Sequence, residues 1–264
     1  MTQIISIRTP DGIVIAGDSL ATLNSPVTLE ACIDFQCSCG KMSNITKPIS
    51  SGVALPRSTF SFAHKVFPFL DKFGIGAAGS GQLCDKTTYF AVRELEEYLK
   101  GQKKKKSWSL KEAAEEIKKY FHLLVQKQFP DLSKSDDNWN GISFQIVGYE
   151  DSIAKSLTLY IGKKVRIDNF NGMGATFIGD QKISQTFMEL YGKHKDDKPR
   201  IELFSLQDAV DYAEFMINTT ASYQRFSSAM PSVGGDVDIA LVTPFDGFKW
   251  IKQKHMSNIL GGSS

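Results

Sequence analysis

The chain of 264 residues carries 31 Lys and Arg against 29 Asp and Glu, a formal net charge of +2, and 42% of it is apolar. A balance this close to neutral makes no electrostatic case for nucleic acid, and no apolar run approaches the roughly 20 residues that a membrane-spanning helix needs. The length suits one large domain with a substantial core, and with no signal-peptide pattern at the N-terminus the chain reads as cytoplasmic.

The first predicted element is a β-hairpin. Two short apolar runs, Gln3-Ile-Ile-Ser-Ile-Arg8 and Ile13-Val-Ile-Ala-Gly-Asp18, flank a Thr9-Pro-Asp-Gly12 turn. Termini fray unless something ties them down, so a strand starting at Thr2 suggests that this end is wanted in a fixed place. A methionine followed by a small residue is normally trimmed, and trimming would leave Thr2 with a free α-amine beside its own hydroxyl. That pair is a nucleophile with a built-in base, because an α-amine titrates near about 7.7 to 8.0.

From about Leu23 to Ser61 the chain is rich in Ser, Thr, Pro, Asn and Gly and reads as a long irregular segment. Long loops in compact domains tend to be functional or mobile, and this one is expected to lie over the functional site or a subunit contact. It holds Cys32, Cys37 and Cys39, whose spacing lacks a paired Cys-x-x-Cys, so reduced thiols are expected there rather than a metal site. No metal and no other cofactor is expected. Lys41 is the fallback should Lys65 prove not to be the lysine at the site.

Residues Thr87 to Lys100 have helical apolar periodicity, with Phe90, Val92, Leu95, Tyr98 and Leu99 available for burial. The basic run Lys103 to Lys106 reads as a solvated connection. Ser109-Leu-Lys-Glu112 is a capping box opening a second helix to about Gln128, with Ala113, Ile117, Phe121, Leu124 and Val125 on one stripe. From Gly141 the period becomes that of strands: Ile142 to Val147, Ser156 to Ile161 and Lys164 to Phe170. Gly179 to Tyr191 reads as a short helix, and Ser205-Leu-Gln-Asp208 starts another to about Phe226. A final hairpin joins Val237–Val242 to Phe248–Lys252 through Pro244-Phe-Asp-Gly247. Two sequential helix pairs between groups of antiparallel strands predict two sheets packed face to face with helices outside, an α+β fold of four αββα layers.

Three blocks carry a resemblance. Thr2-Gln-Ile-Ile-Ser-Ile with Asp11-Gly-Ile-Val-Ile-Ala-Gly-Asp18-Ser-Leu-Ala-Thr22, then His64-Lys65 running to Ala77-Ala-Gly79, then Val233-Gly-Gly-Asp-Val-Asp-Ile-Ala-Leu-Val242 with Asp246-Gly-Phe-Lys-Trp250, resemble the proteasome β-subunit family of N-terminal nucleophile hydrolases. The resemblance implies that Thr2 Oγ attacks a carbonyl and its α-amine takes the proton, that Lys65 lowers the pKa of both, that Asp18 keeps Lys65 charged and aimed, and that the Gly79 N–H serves the oxyanion. It implies a peptide or unfolded-protein substrate, a homo-oligomeric ring and room for an ATP-dependent unfoldase partner, with no nucleic acid and no membrane.

The chain also departs from the family. The segment before Gly234-Gly235 is Ser228-Ala-Met-Pro-Ser-Val233, without the usual acid, and the mid-chain Gly-Ser-Gly appears as Gly172-Met-Gly-Ala-Thr176, so that Ala175 stands where the serine belongs. Thr176 and Ser232 are the hydroxyls that could substitute. The expected organisation is a single domain over 1–255 with an inserted loop at about 23–61 and a disordered tail over 256–264. The expected activity is that of a threonine-type amidohydrolase, most simply an endopeptidase acting through an acyl-enzyme on Thr2. A ligase or transferase on the same nucleophile, or a non-catalytic scaffold subunit, are the alternatives.

Overall fold

The computed structural model describes residues 2–36, 42–102, 107–130, 140–193, 198–228 and 230–254. Two units emerge, Met1–Ala21 with Ser61–Ser264, and Thr22–Phe60.

The larger unit is built on the hairpin at its start. Strands β1 (Gln3–Arg8) and β2 (Ile13–Asp18) pair antiparallel, and Thr9 closes the turn through its N–H and hydroxyl, both on the Gly12 carbonyl. Every residue of both strands is buried, because both faces of the hairpin are covered. Side chains alternate across a strand: Ile5, Ile7, Val14 and Ala16 join one apolar cluster, and Ile4, Ile13 and Ile15 join another. This explains why the sequence here is nearly continuous in apolar residues rather than alternating.

The hairpin is the centre of a five-stranded sheet in the order β12-β1-β2-β13-β14, with β12 (Gly174–Gly179), β13 (Val237–Thr243) and β14 (Gly247–Lys252). The second sheet runs β11-β10-β9-β6-β5, from β5 (Val66–Phe69), β6 (Phe73–Gly79), β9 (Asn140–Glu150), β10 (Ile153–Gly162) and β11 (Val165–Asn171). Val66, Val147, Ile178, Ala240 and Val242 fill the space between the sheets with the inward isoleucines of the hairpin.

Helices α1 (Thr88–Gly101) and α2 (Leu110–Gln128) cover the second sheet through Val92, Leu95, Leu99, Ile117, Phe121 and Val125, which pack with Phe144, Ile146 and Leu159. On the other side, α4 (Leu206–Arg225) lays Ala209, Ala213, Met216 and Ile217 over the first sheet, and Phe187 of α3 (Lys182–Lys193) packs against that cluster. Helix, sheet, sheet and helix make the expected four-layer αββα sandwich. No helix among the described residues is long and apolar enough to cross a membrane.

Some elements differ from the sequence reading. In α1, Phe90 and Tyr98 point outward, at 57% and 64% exposure, because Ala91 and Glu96 share the inner face with Val92, Leu95 and Leu99. Strand β12 was not expected, and α3 starts at Lys182 rather than Gly179. The smaller unit is not irregular: β3 (Ala21–Gln36) and β4 (Met42–Phe60) form a two-stranded sheet. Its Pro and Gly residues suggested a loop, but in a two-stranded ribbon every strand is an edge, where proline's missing N–H is tolerated. Two small strands, β7 (Gln82–Leu83) and β8 (Lys86–Thr87), precede α1. Lys41, Cys37, Cys39, the Lys103–Lys106 run and the tail after Met256 lie outside the described residues.

Candidate active site

Thr2 immediately precedes β1 and is buried. Its carbonyl accepts the Asp180 N–H at 2.6 Å, and the peptide N–H that joins it to Gln3 donates to Asp18 Oδ1 at 2.9 Å. Gly179, the last residue of β12, packs against it with φ +87°; a Cβ there would stand 1.7 Å from the Thr2 oxygen and 3.4 Å from the Ala78 Cβ. Only glycine fits such a contact. The same glycine therefore lies between the Thr2 carbonyl and Ala78 of β6.

Asp18 ends β2 and is fully buried, and its carboxylate is saturated with donors. Besides Gln3 N, Oδ1 accepts Lys65 Nζ at 3.0 Å, and Oδ2 accepts the N–H groups of Gly234 at 3.0 Å and Leu20 at 3.2 Å. The Gly-Gly pair explains itself here. Gly234 returns its carbonyl to Ser19 N and Leu20 N, and a Cβ on Gly235, at φ +72°, would meet Ser19 Oγ at 2.6 Å.

Lys65 has a side chain only 7% exposed and donates also to the Leu20 carbonyl at 2.5 Å. Burial lowers its ammonium below the ordinary lysine range and raises the Asp18 carboxyl above its own, while the ion pair opposes both shifts. Because Asp18 Oδ1 receives both Lys65 and the Gln3 N–H, the lysine charge lies two hydrogen bonds from the peptide unit of Thr2. Gly79 ends β6 exposed, at φ +104°, with Gly141 O only 2.8 Å from where a Cβ would be.

One acid at this place was missed. Asp180, 5% exposed, follows the glycine that touches Thr2; its Oδ2 accepts Gln224 Nε2 at 2.7 Å and Ser232 Oγ at 3.2 Å, and its Oδ1 accepts Lys182 N at 3.2 Å. Gln224 in turn accepts Ser232 N and Val233 N at 2.7 and 2.9 Å. Ala175 and Thr176, read as the serine position, lie elsewhere. They pair with Ile7 and Ser6 at the far end of β1, and Thr176 Oγ1 receives Arg8. The signal that would have found Asp180 is a repeated pattern, a strand ending Gly-Asp, seen in Gly17-Asp18 and again in Gly179-Asp180.

A four-layer sandwich with a buried lysine–aspartate pair at the end of its central strand, β2, is thus the class of structure in hand. Among solved structures it is similar to the Anbu (Gly-1) mutant from Hyphomicrobium sp. strain MC1, with a TM-score of 0.52, 14% identity, and coverage of 96% of this chain and 86% of that one. It is also similar to Anbu (ancestral beta-subunit) from Yersinia bercovieri, with a TM-score of 0.51, 13% identity, and coverage of 96% and 88%. No family model and no curated protein matches the chain.

These findings correct the assignment to the proteasome β-subunit family. What is shown is a fold shared with Anbu chains at low identity. Of the residues that carried the motif resemblance, Asp18 and Lys65 form a buried pair and Gly234 donates to Asp18, whereas Ala175 and Thr176 lie toward the far end of β1 from Thr2.

Proposed function

We propose that the chain is a threonine-type N-terminal nucleophile amidohydrolase, a peptidase whose nucleophile is Thr2 Oγ once the Met1–Thr2 bond is cleaved. The observation that carries this reading is the buried Lys65–Asp18 pair, 3.0 Å apart, sharing an oxygen with the Thr2–Gln3 peptide N–H. Taking two charges out of water is costly, and apolar residues of similar volume often serve stability as well. A cation held in a dry place two hydrogen bonds from the Thr2–Gln3 peptide is a charge that chemistry at Thr2 can use.

In this reading the freed Thr2 amine takes the hydroxyl proton as Oγ adds to the peptide carbonyl. Lys65 stabilises the developing alkoxide, Asp18 fixes Lys65, and the Gly79 N–H donates to the oxyanion. The proton then passes to the departing amine, leaving an ester on Thr2. Water adds to that ester with the Thr2 amine again as base, releasing the acid and restoring the hydroxyl. Asp180, whose N–H holds the Thr2 carbonyl, and Ser232, which donates to the Asp180 carboxylate, orient the ammonium. Since the Yersinia protein is described as a β-subunit, we include assembly into a homo-oligomer in the proposal. The test is turnover of a fluorogenic peptide library by the wild-type chain and by Thr2→Ala, which should lower the rate by roughly 10⁴-fold or more; equal turnover by the two contradicts the reading.

A further inference from the structure

A second lysine–aspartate pair stands behind the first and has no part in the chemistry described above. Lys254 Nζ lies 2.5 Å from Asp238 Oδ2, both side chains are 1% exposed, and the Lys254 N–H donates to Asp238 Oδ1 at 2.8 Å. Asp238 sits on β13 opposite Gly17, next to the position that pairs with Asp18. The third partner of the ammonium is not an acid: Lys254 Nζ donates to the Ala63 carbonyl at 2.7 Å.

That contact matters because residues 62–65 belong to no strand or helix, so no ladder fixes the segment that delivers Lys65. The Lys65 side chain is tied to Asp18 and Leu20 and the His64 ring lies against Tyr89, and the backbone of the segment is held by hydrogen bonds made one at a time. Ala63 N–H donates to Ser19 O at 2.9 Å, the Ala63 carbonyl accepts Lys254, and the Lys65 carbonyl accepts Ala77 N at 2.8 Å. Ala63 is thus gripped from both sides by parts of the first sheet, and Lys65 is tied to the second. Gly235 leaves room for the same segment, since a Cβ there would come 3.2 Å from Ser61 O. An apolar pair at 238 and 254 could fill the volume, but it could not bind a carbonyl. The fields of Lys254 and Asp238 act on Lys65 in opposite directions, so what the pair delivers is position.

We propose that Lys254 is a positioning residue for the chemistry at Thr2: its ammonium, held by Asp238, clamps the Ala63 carbonyl and so fixes where Lys65 is placed. This rests on the reading of Thr2 as the nucleophile. The test is the inactivation rate constant and the binding constant of a peptide epoxyketone, measured by intact mass on the wild-type chain, on Lys254→Arg, and on the double variant Lys254→Met with Asp238→Leu. The double variant leaves no orphaned charge in the interior.

The expected result is a drop of about tenfold or more in the rate constant for the double variant, because a small misplacement of a catalytic group has effects of this size. Its binding constant should stay near wild type and it should stay folded, with a melting temperature lowered by the unpartnered Ala63 carbonyl and residue-254 N–H, and Lys254→Arg, which keeps a cation for the acid and the carbonyl, should react at close to the wild-type rate. A double variant with the wild-type rate constant overturns the proposal, as does an arginine variant no faster than the double one. A wild-type chain that takes no adduct at Thr2 overturns the underlying reading as well.

Discussion

Gly179 shows how tightly the start of the chain is held. Its backbone, at φ +87°, lies so close that a methyl group would stand 1.7 Å from the Thr2 oxygen. Gly179→Ala should therefore lower stability by about 2–4 kcal/mol, combining left-handed strain with overpacking, and should abolish reaction at Thr2; a urea midpoint equal to wild type would contradict that packing. At this scale the sequence was legible where chemistry follows local spacing. Asp18 meets both the Gln3 N–H and Lys65 because a hairpin and one strand pair bring them together; the hairpin was readable from apolar runs and a turn, the strand pair only from the motif resemblance. Ser232 was legible only as a spare hydroxyl and Asp180 only through the repeated Gly-Asp strand ending, while Lys254 gave no local signal, because its partners Asp238 and Ala63 are remote in sequence.

Helix α4 forms the outer layer over the strand that Thr2 begins, so its start bears on the site. Ser205 is its N-cap: the hydroxyl accepts Asp208 N at 3.2 Å, while Asp208 returns a carboxylate oxygen to Ser205 N at 2.8 Å. Ser205→Ala should cost about 1 kcal/mol, seen as a lower urea midpoint with unchanged slope, and an unchanged midpoint would show that the cap is idle. The same reciprocal motif at Ser109 and Glu112 opens α2, and both starts were readable because a capping box is a local device. Strand β12 was not. Gly172, Gly174 and Gly179 all have positive φ and signal turns, yet the four residues between the last two are strand, paired to β1 from Ala175 to Ile178. Tertiary pairing overrode the glycine signal.

The molecule divides into the sandwich and the β3–β4 ribbon. Within the sandwich, Ala63 N–H donates to Ser19 O, so the chain leaves and returns at neighbouring points. Replacing 22–60 by a short Gly-Ser linker should then give a sandwich that unfolds cooperatively with its circular-dichroism spectrum otherwise preserved; an aggregated or molten product would show that the sandwich depends on the ribbon. The layering was legible from the alternation of helical and strand periods, whereas the ribbon was hidden by prolines that edge strands tolerate. The central claim is that Thr2 works as a free N-terminal nucleophile, and intact-mass spectrometry with and without a peptide epoxyketone, which needs a hydroxyl and a free α-amine on one residue, tests it most directly. The account predicts a chain lacking Met1 that gains a single adduct mapped to Thr2. A chain that keeps Met1, or loses it and stays unmodified at saturating probe, would contradict it.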